Sequence, residues 1–333
     1  MRAVICRQFG PPEAHRVDEV APPPLLPGTI RVRIHASALS FANLLVLEGK
    51  HQNTPPLPFT PGTEIAGTVA EIAPDVETLL KPGDRVCAGL PNGGFAEEAV
   101  IDAANVFPIP DCLDYAAATQ FPTIYATGYA ALVWRARIQP GEVLLVHAAA
   151  GASGLAAVQL GKALGACVIA TAGSPEKCVI AAEHGADHVI DYRAQDFRKE
   201  VLALTGGLGA DVIFDPVGGE VFDKSLRCIA PLGRIIPMGF ASGTIPQIPA
   251  NLALVKNIDV IGIYWGYYMA WGKTQAKPAV RAQVPLLFAE LFRLVEQGKL
   301  RPITDSVLPL EDFAQGLRRL TERSVVGKVV LAP

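Results

Sequence analysis

The sequence is poor in charge: 18% of its 333 residues are Asp, Glu, Lys or Arg, the formal net charge is −3, and no basic run occurs. That balance argues against a nucleic-acid partner and against electrostatic attraction to a membrane surface. No apolar stretch reaches the roughly 18 residues that cross a bilayer. The opening MRAVICRQFG has no long apolar region ahead of a cleavage site, so no signal peptide is expected and a cytoplasmic location is. No Cys-x-x-Cys occurs; Cys6, Cys87, Cys112, Cys167, Cys178 and Cys228 are scattered, as free thiols in a reducing compartment would be. The six histidines are isolated, no His/Cys group has ligand spacing, and no metal is expected. Internal repeats and low-complexity tracts are absent as well.

Half of the residues are apolar, and the length suggests two domains. The chain is organised around residues 142–167. Val143, Leu144, Leu145 and Val146 run apolar without alternation, as in a strand buried on both faces. Small residues follow over 148–154, and then Leu155, Val158, Gln159, Lys162 and Leu164 fall at helical spacing up to Gly165. This is strand, tight turn, helix. Ala148-x-x-Gly151-x-x-Gly154 is a close relative of the dinucleotide fingerprint, in which absent side chains let backbone approach a pyrophosphate and the helix start binds its charge. The plain alternative is a helix packed close to a sheet by small residues. Repetition argues against it: further strands are expected at 168–171, 188–190, 211–214, 234–237 and 258–263. Helices are expected between them at Pro175–Glu183, 196–204 and 220–228. Such alternation predicts an α/β fold with a doubly wound parallel sheet.

An NAD-selective site places an acid at the end of the second strand, about 20 residues beyond the glycines. Here that end reads Thr171-Ala172-Gly173-Ser174-Pro175-Glu176-Lys177, with no acid at the tip. Ser174 at a helix start and Lys177 one turn in suit a 2′-phosphate, and Tyr192 after the third strand adds a phenol. The expectation is NADPH over NADH. Glu176 is set down as a residue favouring the helix dipole, and a solvated surface role is the alternative for Lys177.

Residues 1–122 have a different texture. Short alternating runs such as Ile30-Arg31-Val32-Arg33-Ile34, proline breaks at Pro22-Pro23-Pro24 and 55–61, and the turn Pro82-Gly83-Asp84 describe a loop-rich β domain, with one helical segment near 40–48. Residues 121–136 read as a helix carrying the chain across. After residue 263 come an aromatic stretch (Tyr264, Trp265, Tyr267, Tyr268, Trp271), an amphipathic helix over 284–297, and closing strands at 303–308 and 327–331 around a helix at 311–321. The predicted division is 1–122 with 264–333 as the β-rich catalytic domain and 123–263 as the cofactor domain.

These residues resemble the zinc-independent medium-chain dehydrogenases/reductases, in the NADPH:quinone oxidoreductase (zeta-crystallin-like) group. The likeness covers nearly the whole chain. It is carried by Pro58-Phe59-Thr60-Pro61-Gly62-Thr63-Glu64-Ile65-Ala66-Gly67, Lys81-Pro82-Gly83-Asp84-Arg85-Val86, Gly93-Gly94-Phe95-Ala96-Glu97, residues 146–162, and Gly185-Ala186-Asp187-His188-Val189-Ile190-Asp191-Tyr192. The resemblance implies a GroES-like β domain and a Rossmann domain with the active site in the cleft between them. It implies cofactor roles for Gly151, Ala152, Ser153 and Gly154 of the turn, for Lys177 and Tyr192 at the 2′-phosphate, and for Thr127 near the nicotinamide. It also implies backbone contacts from Val217, Gly239, Phe240, Ile263, Tyr264 and Trp265, and a cofactor contact from Arg323. The chain departs from the pattern in three places. The usual Gly-Gly-Val-Gly turn is Gly151-Ala152-Ser153-Gly154; the early Asn-x-x-Asp is Ser40-Phe41-Ala42-Asn43; and tyrosines common in quinone reductases are Leu45 and His51. Zinc relatives carry Gly-His-Glu where this chain has Gly62-Thr63-Glu64, and Thr63 lacks the imidazole nitrogen.

Without a Lewis acid, a conjugated acceptor suits hydride transfer, because charge develops on an enolate or hydroquinone oxygen that fixed donors stabilise. The expected reaction is reduction of a quinone or an α,β-unsaturated carbonyl by NADPH. Ser40, Asn43 and Tyr264 are the candidate donors. Helix capping is the alternative for Ser40 and Asn43, and core or dimer packing for the stretch around Tyr264. A 2-enal or enoyl-thioester reductase is the second reading, and a non-catalytic NADPH-binding sensor or structural protein the third. The apolar sixth strand at a sheet edge predicts a homodimer.

Overall fold

The computed structural model describes residues 1–272, 274, 276–322 and 324–333. Arg323, expected at the cofactor, lies outside the described residues. The chain divides into two compact units: Met1–Thr123 with Trp265–Glu296 and Pro302–Pro333, and Ile124–Tyr264 with Gln297–Arg301.

The first unit opens with β1 (Arg2–Ile5), β2 (Arg16–Glu19), β3 (Thr29–Ala38), α1 (Phe41–Leu47), β4 (Glu64–Ile72), β5 (Arg85–Gly89), β6 (Glu98–Asp102), β7 (Val106–Pro108) and α2 (Tyr115–Ala118). The second unit holds α3 (Ala126–Tyr129), β8 (Val143–Val146), α4 (Ala152–Ala163), β9 (Cys167–Ala172), α5 (Pro175–Glu183), β10 (His188–Asp191), α6 (Phe197–Leu204), β11 (Ala210–Asp215), α7 (Glu220–Ser225), β12 (Ile229–Pro237), α8 (Ala250–Lys256) and β13 (Asp259–Val260). The first unit closes with α9 (Trp265–Tyr268), α10 (Pro278–Arg281), α11 (Val284–Glu296), β14 (Thr304–Pro309), α12 (Phe313–Thr321) and β15 (Lys328–Ala332).

In the first unit the main sheet runs β14-β15-β3-β4-β5-β7, with β6 also paired to β3. Alternation places the side chains: Ile30, Val32 and Ile34 of β3 are buried with Ile65 and Val86, while Arg33 between them is exposed. In the second unit the order is β10-β9-β8-β11-β12-β13, all parallel. The order reverses between β8 and β11, which defines the crevice where such sheets bind nucleotides. Leu145, Ile169, Ile213 and Ile235 stack through this sheet, and Phe197 and Phe222 from α6 and α7 cover it.

The expected strands and helices of the alternating half are present, with differences at their ends. The fifth strand begins at Ile229 rather than at Arg234: Pro231, Leu232 and Gly233 look like a turn, and they form an irregular step where the register with β11 shifts. Leu232 takes φ +64 there and faces solvent. The sixth strand shrinks to Asp259–Val260; one further bond, Ile261 N–H to the Ile235 carbonyl, ends the pairing. The expected helix at 121–136 is helical from Phe121 to Arg135, but wide π turns at Phe121–Tyr125 and Ala130–Arg135 flank the short α3. Among the described residues no helix is long and apolar enough to cross a membrane.

Candidate functional site

The turn between β8 and α4 is built on one carbonyl. Ala148 takes a left-handed φ of +51, and its carbonyl accepts the Gly151 N–H at 2.9 Å. A Cβ on Gly154 would stand 2.3 Å from that same oxygen and 2.7 Å from Ala149 Cα, so this glycine is required by the turn itself. Gly151 differs. With φ −79 it has an ordinary backbone, and a Cβ there would meet nothing closer than the Ala148 oxygen at 3.4 Å. The turn itself does not require a glycine at 151. Gly151 caps α4 without a side-chain bond. The first-turn N–H groups of Ala152, Ser153 and Gly154 have no intrahelical acceptor. Three N–H donors, the positive end of a 12-residue helix and a cradle that carries no side chain at Gly151 fit a pyrophosphate.

The ends of β9 and β10 assemble the residues expected at the 2′-phosphate. Ser174 caps α5, accepting the Lys177 N–H at 3.3 Å. A hydrogen bond from the Ser174 side chain holds the exposed Glu176 carboxyl below its usual range. Glu176 is thus more than a dipole partner: it engages the hydroxyl expected to serve the phosphate. Tyr192 is half exposed and its hydroxyl lies over Gly173, 2.5 Å from where a Cβ would stand.

Beyond β11 and β12 two loops lean on each other. The Ala241 N–H bonds the Pro216 carbonyl and the Ser242 N–H the Val217 carbonyl, while Phe240 packs over Gly218. Val217, Gly239 and Phe240 are thereby brought together. What organises them is Asp215, missed in the sequence: its Oδ1 accepts the Val217 N–H at 2.8 Å and the Gly218 N–H at 3.1 Å. Its Oδ2 is buried without a partner among the described residues, and burial raises its pKa against those two N–H bonds. The readable signal was Asp215-Pro216-Val217-Gly218-Gly219, a turn directly after a strand. Thr127 is half-buried on α3, Ile263 is half-buried near the end of the second unit, and Tyr264, its last residue before the crossing, is 41% exposed.

In the first unit Ser40 and Asn43 meet each other. Ser40 caps α1; its N–H and hydroxyl both donate to Asn43 Oδ1 at 2.8 Å, and Asn43 N–H returns a bond to Ser40 Oγ. The capping alternative is therefore realised, and the Ser40 proton is engaged in it. Trp265 is buried, and its Nε1 donates to the Pro122 carbonyl at 2.7 Å, which is compatible with the backbone contact expected of it. Glu64, which follows Thr63, is buried in an ion pair with Lys328 at 2.6 Å.

Comparisons with known proteins agree with this architecture. Residues 152–279 match the zinc-binding dehydrogenase family and residues 26–111 the alcohol dehydrogenase GroES-like domain. The chain is 39% identical to quinone oxidoreductase-like protein 2 of Bos taurus over 99% of this chain and 92% of that protein. The structure of Escherichia coli quinone oxidoreductase complexed with NADPH superposes with TM-score 0.89 at 28% identity, covering all of both chains. A 2-haloacrylate reductase structure gives TM-score 0.85 at 29% identity over 100% of this chain and 99% of that one. The chain belongs to the medium-chain dehydrogenase/reductase family, in its zinc-independent, quinone-oxidoreductase-like group. It combines a GroES-like domain with a Rossmann-type parallel sheet, and its family is one of NADP-dependent oxidoreductases. A zinc ion does not fit the residues present. Thr63 offers only a hydroxyl, Glu64 is held by Lys328, and among the described residues no three His, Cys, Asp or Glu side chains form a metal-holding group.

Proposed function

We propose that this chain transfers hydride from NADPH to a quinone or another conjugated carbonyl without a metal. The observation that carries this reading is the start of α4: three N–H donors without intrahelical acceptors beside a glycine at which an added Cβ would meet only the Ala148 oxygen, at 3.4 Å. NADPH is the cofactor, and it supplies the hydride. Ala152, Ser153 and Gly154 hold the pyrophosphate through their N–H groups. Lys177 and Tyr192 take the 2′-phosphate. Val217, Gly239, Phe240 and Ile263 would give backbone contacts, and Thr127 would serve the nicotinamide end. Orienting the reactants and stabilising the developing oxyanion are the protein's share of the catalysis. Of the three candidate donors Tyr264 is the most exposed, at 41%, and it is the favoured donor to the substrate oxygen.

The test is NADPH oxidation against 9,10-phenanthrenequinone, 1,4-benzoquinone, a 2-enal and crotonyl-CoA. Preference for the quinones supports the first reading. Likeness to a 2-haloacrylate reductase favours reduction of a C=C bond as the second, and preference for the enal or the thioester selects it. Tight NADPH binding with no turnover on any of them favours the third reading, a non-catalytic nucleotide-binding protein. A Tyr264→Phe variant should lower turnover and leave NADPH affinity alone; wild-type turnover removes Tyr264. β13 ends the parallel sheet, so we also propose that a second copy covers it, and a monomer in micromolar sedimentation would contradict that.

A further inference from the structure

His147 is the last residue before the dinucleotide turn, and it is 1% exposed. Both ring nitrogens have partners: Nδ1 lies 2.9 Å from Thr171 Oγ1 and Nε2 2.8 Å from Ser225 Oγ. The direction of each bond can be read. The Ser225 hydroxyl donates to the Val221 carbonyl at 2.7 Å, so toward His147 it presents only lone pairs. Nε2 must carry the proton and donate it to Ser225. Nδ1 is then the acceptor, and the Thr171 hydroxyl is its donor. The ring edge packs on Phe197, at 4.8 Å between centroids, and burial among these groups pushes its pKa down to about 3. The imidazole is neutral, in one tautomer, and ties β8 to β9 and to α7.

Its backbone is tied too. The His147 N–H donates to the Phe214 carbonyl of β11, and the Ala149 N–H to the Thr171 carbonyl of β9. Between them sits Ala148, whose left-handed conformation aims the carbonyl on which Gly151 and Gly154 are stacked. A left-handed alanine persists only where its neighbours hold it. Thr171 acts on both sides of that residue, bonding the His147 ring with its hydroxyl and Ala149 with its carbonyl.

We propose that His147 is a positioning residue for the cofactor: through its bonds to Thr171 and Ser225 it sets the angle of the 148–154 turn and hence the aim of the α4 N–H donors. This rests on the NADPH-binding reading given above. The group acts by hydrogen bonding rather than by bulk, and it never touches the reacting atoms.

The test measures NADPH dissociation constants by fluorescence titration, alongside kcat at saturating NADPH and Tm, on the whole chain. Thr171→Val removes the donor to Nδ1 at constant shape, Thr171→Ser restores it, and His147→Phe keeps a ring without either bond. Thr171→Val and His147→Phe should each weaken NADPH binding at least about tenfold, with kcat at saturation within about threefold of wild type. Thr171→Ser should stay within about threefold in affinity, and the double variant should be no worse than His147→Phe alone. If His147→Phe does not fold, the Thr171→Val and Thr171→Ser pair decides by itself. NADPH affinity within about twofold of wild type in Thr171→Val, whatever its Tm, overturns the inference and leaves the NADPH reading standing. A wild-type chain that binds no NADPH overturns that reading and the inference with it. Nitrogen-15 spectra of histidine-labelled protein give a separate check. The signals lost in His147→Phe should belong to an Nε2–H tautomer, and an Nδ1–H tautomer contradicts the proposal.

Discussion

The Tyr192 hydroxyl lies 2.5 Å from the point where a Cβ on Gly173 would stand. The two residues follow neighbouring strands, and the absence of a side chain at 173 is what lets the phenol reach over the end of β9. Gly173→Ala must push the ring aside. The ring is half exposed and its far end is what moves, so folding should lose less than about 1 kcal/mol. The NADPH KM should rise about fivefold, or ~1 kcal/mol, and the NADH KM should not change. Equal effects on the two cofactors would detach Tyr192 from the 2′-phosphate.

Lys177 and Glu176 share the same helix start with opposite signs. Lys177→Ala should raise the NADPH KM about tenfold, or ~1.4 kcal/mol, and spare NADH. Glu176→Gln removes a carboxylate that takes the Ser174 bond, and should lower the NADPH KM. The ratio of kcat/KM for NADPH and NADH across wild type and both variants checks this. A ratio near one in the wild type, or an unchanged NADPH KM in Lys177→Ala, contradicts it.

The two glycines of the turn should fail in different ways. Gly154→Ala drives a methyl to 2.3 Å from a backbone oxygen that cannot retreat, and overpacking of this kind costs about 1–3 kcal/mol or more. Gly151→Ala meets only an ordinary contact, and replacing glycine by alanine at a helix N-cap costs about 1 kcal/mol or less. Its methyl enters the cradle, so NADPH affinity should fall at least about tenfold. Denaturant unfolding and NADPH titration of both variants separate the two failures. Wild-type affinity in Gly151→Ala would mean that the pyrophosphate lies elsewhere.

What could be read from the sequence was what neighbours in the chain decide. The apolar run at 143–146, the small residues after it, and Ser174 with Pro175 as cap and first helical position are local signals, and β8, the turn and α5 follow them. Ser40 and Asn43 were readable as a cap or as catalytic donors, and their mutual bonds show the cap. The first half of β12 was hidden, because Pro231-Leu232-Gly233 carries turn chemistry, and the strand accommodates it as the irregular step at which the register with β11 shifts. α8 was hidden because Leu254 and Val255 face solvent and give no amphipathic pattern. Gly173 beneath Tyr192, and Glu64 against Lys328, are meetings of distant residues that no spacing announces.

Asp215 gives a pH prediction. Its folded pKa is raised, chiefly by burial, above the value of an exposed Asp. A raised acid destabilises the fold where the unfolded chain is ionised, so the penalty is absent below the unfolded pKa and grows as pH rises through that value toward the folded one. Asp215→Asn keeps the oxygen that accepts from Val217 and Gly218 and removes the titration. The Tm of the variant relative to wild type should therefore move upward between pH 3 and pH 7. A difference that stays constant over that range would show that Asp215 does not titrate differently in the two states.

The Lys328–Glu64 pair gives the largest expected stability effect. Lys328 Nζ stands 2.6 Å from the Glu64 carboxylate, and both side chains are almost fully buried. Burial raises the Glu64 pKa and the ammonium opposes that rise. Taking the cation away leaves a carboxyl that must either stay charged without a partner or take up a proton. Lys328→Met should cost about 3–5 kcal/mol, as breaking one side of a buried pair does. Adding Glu64→Gln removes the orphaned charge and should recover part of that loss, so the two substitutions should couple favourably in a double-mutant cycle. Urea unfolding of the wild type, both single variants and the double variant measures the coupling. Additive losses would mean that the two side chains stabilise the fold independently, despite the distance between them.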